Sequence, residues 1–290
     1  YTRGNEKEAD RFGIALLANS NFDPQGAPDF FSKMSAKYRY ASKPPAMLLT
    51  HPLPESRIAD ARQRAHSYSI RRLAPSLQFE LAKSRIQSRY QSNPKNNIGY
   101  FKKQLRDNQY KLKEAAEYGL AISYFENKQY QLAKALLEPL KAQDKHNLFY
   151  IDVLTDVYIA LKQYDKALTM LSEISLYMPN NQVISLNYGN ALLSAGKYAQ
   201  AEAVINDFLL VNPGNFIAYD ILTTVYRKQN KVGLMHTAKA EILALLGSYK
   251  KAVDELQTGY SLITEQPLLQ KRIKARILQF QEQENKLKRL

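Results

Sequence analysis

Two carboxylates stand close together near the start of the chain, in the stretch NEKEADRFG at residues 5–13. Glu6 and Asp10 are four residues apart, a spacing that places both side chains on one face of a helix. Such carboxylates can bind a metal or transfer protons, but most acidic pairs of this kind only keep a helix surface hydrated. The pair is therefore a candidate site only if other parts of the sequence supply partners for it.

A metal site would need histidine partners, and the chain has only a few of them. The histidines are His51, His66, His146 and His236. No two of them lie four residues apart, so the HExxH motif, which supplies two zinc ligands and a general base from one helix, is absent. Cysteine is absent as well, which excludes disulfides, thiolate zinc sites and a cysteine nucleophile. We therefore expect no peptidase activity from these 290 residues alone.

Helices are the elements that must position these residues, because the sequence shows helical patterning and no strand-like alternation. Ahead of residue 113 we predict helices over residues 5–20, 26–40, 54–68, 75–91 and 94–108. Prolines concentrate at residues 43–54, which predicts an extended loop that contains His51. The fold class is therefore predicted to be all-α.

An internal repeat governs the middle of the chain. Residues 127–140, 161–174 and 195–208 align at a constant step. They share a tyrosine and, three residues later, an alanine: Tyr130, Tyr164 and Tyr198 with Ala133, Ala167 and Ala201. The step matches the period of about 34 residues that is typical of tetratricopeptide (TPR) repeats, in which two antiparallel helices approach closely at the alanine and an aromatic residue fills the space between them. We therefore expect Tyr164 to be buried.

The repeat changes register towards the end of the chain. A fourth match at residues 247–257 follows the third by one and a half periods. We expect residues 216–228 and 231–246 to form half-units that continue the stack out of sequence register. Residues 266–290 are polar with apolar residues at helical spacing, and this pattern predicts a terminal capping helix.

Three stretches carry a resemblance to a known family. They are NEKEADRFG at residues 5–13, SNFDPQG at 20–26 and THPLPESR at 50–57. Together they resemble the HtpX-like family of zinc metallopeptidases, in a form that also carries a TPR domain, and the resemblance extends over essentially the whole chain. It implies that the chain is a fragment, the C-terminal helical piece of a metallopeptidase domain followed by a TPR superhelix, with the HExxH helix upstream of the first residue.

The resemblance also implies where the parts of the chain lie. It predicts four of them: residues 1–72 from the metallopeptidase domain, 73–112 as connecting helices, 113–265 as TPR repeats and 266–290 as the capping helix. The parent is expected to be a periplasmic zinc metalloendopeptidase and chaperone in outer-membrane β-barrel assembly and quality control. Its expected partners are protein substrates and the outer-membrane assembly machinery. The alternative is a non-catalytic TPR scaffold for protein interactions.

Site roles follow from the same resemblance, residue by residue. Glu6 resembles the third zinc ligand, and Asp10 resembles the acid that orients a ligand imidazole. His51 and Arg57 resemble the HPxxxxR pair over the active site, where an imidazole and a cation could stabilise an oxyanion. His51 lies in a proline-rich loop and could also reach the metal itself. Zinc is expected in the intact parent and is not expected to be held tightly by this fragment.

The concave face of a TPR array is lined by the first helix of each pair and is the usual binding surface. The side chains that we expect in this partner groove are Tyr118, Phe125, Phe149, Asp152, Asp156, Leu186 and Asn190. The lysines of a carboxylate clamp are missing there, so we expect an extended or helical segment of a partner protein as the occupant. The alternative, which the sequence leaves open, is that several of these side chains pack between helices.

The net charge of +14 favours anionic partners. Basic and aromatic residues alternate over residues 83–113, but they recur at helical spacing beside apolar residues, as on any hydrated helix face. Nucleic acid is therefore disfavoured as a partner. A basic tail consists of Lys271, Arg272, Lys274, Arg276, Lys286, Lys288 and Arg289. This tail favours peripheral contact with an anionic membrane surface or an acidic partner.

Overall fold

The structure is a computed structural model that describes residues 3–38, 55–69 and 73–288. Every regular element within these ranges is helical, which confirms the all-α prediction. The chain divides into two compact units, Tyr1–Ser76 and Leu77–Leu290. The four-part division given above stays a prediction.

The first unit is built from three helices in its described part. They are α1 (Arg3–Asn19), α2 (Gly26–Tyr38) and α3 (Glu55–His66). Its core is small: Ile14 of α1 is buried against Ala61 and Ala65 of α3, with Phe31 packed beside them. The two alanines allow α3 to approach α1 closely, and this approach brings residues from distant parts of the sequence together.

The second unit is a stack of antiparallel helix pairs behind two leading helices. In chain order its helices are α4 (Leu77–Ile86), a π-helical turn (Gln87–Gln91), α5 (Pro94–Arg106), α6 (Lys113–Glu126), α7 (Tyr130–Gln143), α8 (Leu148–Ala160), α9 (Tyr164–Tyr177), α10 (Gln182–Ser194), α11 (Tyr198–Val211), α12 (Phe216–Lys228), α13 (Val232–Leu245), α14 (Tyr249–Leu262) and α15 (Pro267–Leu287). No helix in the described part of the chain is long and apolar enough to cross a membrane.

The period of the repeat is visible in the backbone as well as in the sequence. The residue that turns the chain from the first helix of a pair into the second is left-handed in four successive pairs: Lys128, Lys162, Gly196 and Asn230, with φ of 59°, 57°, 76° and 59°. An asparagine begins the first helix of three pairs by accepting a hydrogen bond from a backbone N–H: Asn147, Asn181 and Asn215. All four pairs are therefore turned in the same way, and the last three are also entered in the same way, whereas α6 follows Leu112 without a side-chain cap.

The small residues of the repeat are buried as predicted, but Tyr164 is not. Ala133, Ala167 and Ala201 have no exposed surface. Tyr164, in contrast, is only half-buried, so the prediction of a buried tyrosine is wrong. Tyr164 is the first residue of α9, so it stands at the end of the helix and not in its middle.

The last helices keep the period, which corrects the prediction of half-units out of register. Helix α12 begins one full period after α10, and α13 begins one full period after α11, so α12 and α13 form a complete pair. The fourth sequence match falls at the start of α14, the next helix in the stack. Helix α15 follows it and buries Ile273 and Phe280.

Candidate functional site

Arg57 joins the two carboxylates that the sequence singled out. Its Nη1 lies 2.8 Å from Oε2 of Glu6, and its Nη2 donates a hydrogen bond of 2.9 Å to Oδ1 of Asp10. Its Nε donates a second bond to Asp10, so the guanidinium grips that carboxylate with two parallel bonds. One arginine therefore bridges the two carboxylates.

The helices of the first unit explain this geometry. Glu6 and Asp10 lie one turn apart on α1, as their spacing predicted. Arg57 is the third residue of α3, and its guanidinium lies 5.4 Å from the ring centre of Phe31 on α2. All three helices therefore contribute to holding Arg57 in place.

The cluster is largely removed from solvent. The side chains of Arg57 and Asp10 are 11% and 7% exposed. The hydrogen bonds to Asp10 raise the pKa of Arg57 above its ordinary value, because they outweigh the cost of burying the charge. Arg57 is therefore a permanent cation at this point of the fold.

A groove in the second unit collects most of the side chains predicted to meet a partner. It has a volume of about 640 Å³, and its lining includes Phe149, Asp152, Leu186 and Asn190. The remaining lining residues are Arg85, Leu148, Gln182, Val183, Asn187, Ile217, Asp220 and Ile221. We call this surface the repeat groove. Its mixture of aliphatic side chains, amides and carboxylates suits an extended polypeptide.

Asp152 is the centre of the polar part of the repeat groove. Its Oδ2 lies 2.7 Å from Nη2 of Arg85, and its Oδ1 accepts a hydrogen bond of 2.8 Å from Nδ2 of Asn187. The guanidinium of Arg85 also donates bonds of 2.9 and 2.6 Å to the hydroxyl of Tyr118 and lies 5.1 Å from the ring centre of Phe149. The network fixes Arg85 and Asp152 on the floor of the groove.

The other predicted groove residues lie behind or beside it. Tyr118 is fully buried and packs edge-on against Phe149 and Tyr150, so it positions Arg85 and does not offer its ring to a partner. Phe125 is half-buried, with its ring 5.5 Å from that of Tyr130. These two residues follow the alternative that the sequence left open, packing between helices.

Asp156 lies one turn after Asp152 on α8 and is not part of the groove lining. Burial raises its pKa to about 6, and the neighbouring charge of Asp152 adds to the shift. The carboxylate of Asp156 is therefore held in a place where its charged form is costly at neutral pH.

Eight groove residues were missed by the reasoning from sequence, and three of them show why. Arg85 lies in α4, ahead of the periodic segment, and only its place in the fold brings it to Asp152. Asn187 is adjacent to a predicted position, Leu186. Asp220, in contrast, lies one period after Leu186 and two periods after Asp152, so the repeat would have found it had α12 been placed in register.

The geometry thus defines a helical chain with a carboxylate–arginine cluster in one unit and a TPR-type groove in the other. Residues 1–65 match the model of peptidase family M48, and residues 158–225 match a tetratricopeptide repeat model. The resemblance to M48-type peptidases with a TPR domain is therefore confirmed.

Curated relatives agree along the length of the chain. The beta-barrel assembly-enhancing protease of Escherichia coli K12 is 34% identical over 288 residues, covering 99% of this chain and 59% of the relative. A Vibrio cholerae protein provisionally given the same name is 38% identical over 278 residues, covering 96% of this chain and 57% of the relative. The chain thus spans less than two thirds of these relatives. A solved TPR protein from Parabacteroides merdae aligns over 96% of this chain and 99% of its own, with 13% identity and a TM-score of 0.46.

Zinc is the metal that this family resemblance implies. Among residues 3–38, 55–69 and 73–288, no group of three or more His, Cys, Asp or Glu side chains is placed to hold a metal ion. Of the implied ligands, Glu6 is described and has one oxygen at Arg57, whereas His51 lies outside the described residues. The described residues do not by themselves fit a zinc site, so no chemical step is derived through a metal.

Proposed function

We propose that this chain serves a periplasmic zinc metalloendopeptidase and chaperone that acts in outer-membrane β-barrel assembly and quality control. In this proposal the first unit contributes Glu6, Asp10 and Arg57 to the peptidase site, and the repeat groove binds protein partners. The similarity of nearly the whole chain to beta-barrel assembly-enhancing proteases supports the proposal.

One observation carries the proposal: Arg57 pairs with Asp10, which lies 47 residues earlier, and with Glu6, and these are the two carboxylates that the family resemblance assigns to the metal site. Two acidic residues on an exposed helix surface are hydrated by solvent, so they do not require a largely buried arginine from another helix. A peptidase site can use a fixed cation beside its ligands, because negative charge develops on the substrate carbonyl during attack. In this role Arg57 would both orient Asp10 and face the reacting carbonyl.

The surface of the first unit supports its place within a larger peptidase fold. In the described part of this unit the buried apolar cluster is Ile14, Ala61 and Ala65, whereas Phe12, Leu16 and Phe30 are 60%, 66% and 56% exposed. Phe12 and Leu16 lie one turn apart on α1 and form an apolar strip. Such strips are normally covered by another part of the protein.

The test compares this chain with a longer protein that joins it to an HExxH-containing segment of the same family. We expect the 290-residue chain to bind no stoichiometric zinc and to leave casein intact. The longer protein should contain one zinc, measured by plasma mass spectrometry, and should cleave casein. Changing Glu6→Gln in it should remove both, because an amide is a poor zinc ligand.

Glu8→Gln is the matched control, since Glu8 is an exposed carboxylate on the same helix. It should leave zinc content and casein cleavage unchanged. Full zinc content and normal cleavage in the Glu6→Gln protein would show that Glu6 is not a ligand.

A second candidate is a scaffold that binds partners without catalysis. It is favoured by the pairing of Glu6 with Arg57, which satisfies the carboxylate without any metal. In that case the longer protein would still bind its partners while containing no zinc.

A further inference from the structure

Helix α15 presents two different faces. One face is packed into the second unit: Ile273 and Phe280 are each 3% exposed, and the ring of Phe280 lies 6.0 Å from that of Tyr249. The opposite face is open to solvent, and it is not purely polar. Leu268 and Leu278 on this face are 67% and 66% exposed, with exposed Lys271 and Ala275 between them. The outer face of a terminal capping helix is normally polar, so two exposed leucines there indicate a further role for this face.

Charge on α15 is concentrated in the same half of the helix as these leucines. Residues 267–281 contain four cations and no acidic residue. Arg276 is engaged by Glu241 at 2.6 Å, and Lys274 lies 5.0 Å from the ring centre of Tyr260. Lys271 and Arg272 remain on the exposed side.

The later half of the helix is balanced internally. Glu282 and Glu284 pair with Lys286 and Lys288 at 2.9 and 2.7 Å. The positive potential of α15 is therefore strongest around Lys271 and Arg272, beside the exposed leucines.

We propose that the outer face of α15, formed by Leu268, Lys271, Arg272, Ala275 and Leu278, binds the surface of an anionic membrane. The leucines are ten residues apart, roughly 15 Å along the helix axis, so both can enter the interface when the helix lies parallel to it. Lys271 and Arg272 then lie at the level of the lipid phosphates. Buried apolar area and attraction to anionic lipids are the two contributions to interfacial binding, and this face offers both. A nucleic-acid site would instead use stacking aromatic residues, and the outer face has none.

The experiment is flotation of the 290-residue chain with vesicles of phosphatidylglycerol and phosphatidylcholine, against vesicles of phosphatidylcholine alone. The chain should float with the anionic vesicles, less so at high salt, and should not float with the neutral ones. Each cation contributes about fivefold to partitioning, so Lys271→Gln with Arg272→Gln should weaken binding about twenty-five-fold. The matched control is Lys250→Gln with Lys251→Gln on α14, which removes the same charge from another exposed site and should bind nearly as wild type.

A second measurement tests whether the leucines enter the membrane. The chain contains no tryptophan, so Leu278→Trp introduces one tryptophan on the outer face, which can be excited separately from the 20 tyrosines. Its emission should shift to shorter wavelength with anionic vesicles. The emission of the control variant Gln257→Trp, at an exposed position on α14, should not shift. Leu268→Ser with Leu278→Ser should reduce flotation while the melting temperature stays unchanged.

Three results would overturn the proposal. The first is absence of flotation with anionic vesicles, which would leave an acidic protein as the partner for this face. The second is equal weakening by the α15 and α14 charge variants, because net charge and not this face would then be responsible. The third is an unshifted emission from Leu278→Trp in vesicles that do bind the chain.

Discussion

An arginine organises an ionic cluster in each compact unit, and the two clusters differ in how closed they are. In the first unit Arg57 is 11% exposed and is held between two carboxylates. In the second unit Arg85 and Asp152 are each 26% exposed, and the arginine divides its bonds between one carboxylate and a tyrosine hydroxyl. The first cluster is largely closed to solvent, whereas the second is partly exposed and lines the repeat groove.

This difference teaches what each cluster can do. A buried arginine that satisfies two acids stabilises a fixed arrangement, because removing it would leave carboxylates repelling each other away from water. A partly exposed pair that lines a groove contributes less to stability, since solvent screens it. Its side chains can instead form hydrogen bonds and ion pairs with a bound polypeptide. The first unit is therefore organised for rigidity and the repeat groove for binding.

Arg57→Ala is the change expected to have the largest effect. It should destabilise the first unit by about 3 kcal/mol, because Glu6 and Asp10 would lose their shared cation while remaining largely buried. Hydrogen exchange followed by mass spectrometry measures this directly: amides of α1 and α3 should lose protection, and those of α8 and α10 should not.

The matched variant is Arg85→Ala in the second unit. Its cost is expected to be only about 1 kcal/mol, since the pair with Asp152 is partly solvated and Asn187 still bonds the carboxylate. A larger loss of protection for Arg85→Ala than for Arg57→Ala would contradict the conclusion that the buried Arg57 cluster contributes more to stability than the partly exposed Arg85 cluster.

Asp156→Asn should have the largest effect after Arg57→Ala, and it should stabilise the second unit. The pKa of Asp156 is raised to about 6 by burial and by Asp152, so the folded state binds this proton more tightly than the unfolded chain. The stability from that proton is present below about pH 4 and is lost as pH rises through 6. At pH 8 the variant should therefore exceed wild type by about 2 kcal/mol in urea unfolding, and the gain should vanish near pH 4.

Asp254→Asn serves as the control for this pH dependence, because Asp254 is exposed on α14. Its unfolding free energy should follow that of wild type at both pH values. A gain for Asp156→Asn that is the same at pH 4 and pH 8 would mean that the charge of Asp156 is not its cause.

How far the sequence could predict these clusters depends on periodicity. The helix pairs were predictable because Ala133, Ala167 and Ala201 mark a fixed step, and all three are buried as the step requires. Arg85 was not predictable, because it lies outside the period and meets Asp152 only through the fold. Arg57 could be placed beside Glu6 and Asp10 only through family resemblance. No helical or repeat spacing connects it to Asp10, which lies 47 positions earlier, or to Glu6. Burial of Tyr164 was overestimated because a repeat motif fixes which residue begins a helix but not how far its ring extends into the core.

Lys162→Gly is expected to have the smallest effect, and it tests whether stability in the second unit is shared among equivalent turns. Lys162 is left-handed at φ 57°, a conformation that costs a residue with a Cβ atom, whereas the equivalent position one period later is Gly196. Glycine relieves that strain but makes the unfolded chain more flexible, so the net gain should be about 0.5 kcal/mol in urea unfolding. Lys162→Ala keeps the Cβ atom and should show no gain, which separates backbone strain from loss of the lysine charge. If both variants gain equally in unfolding free energy, the gain comes from removing the lysine side chain and not from relief of backbone strain at this turn.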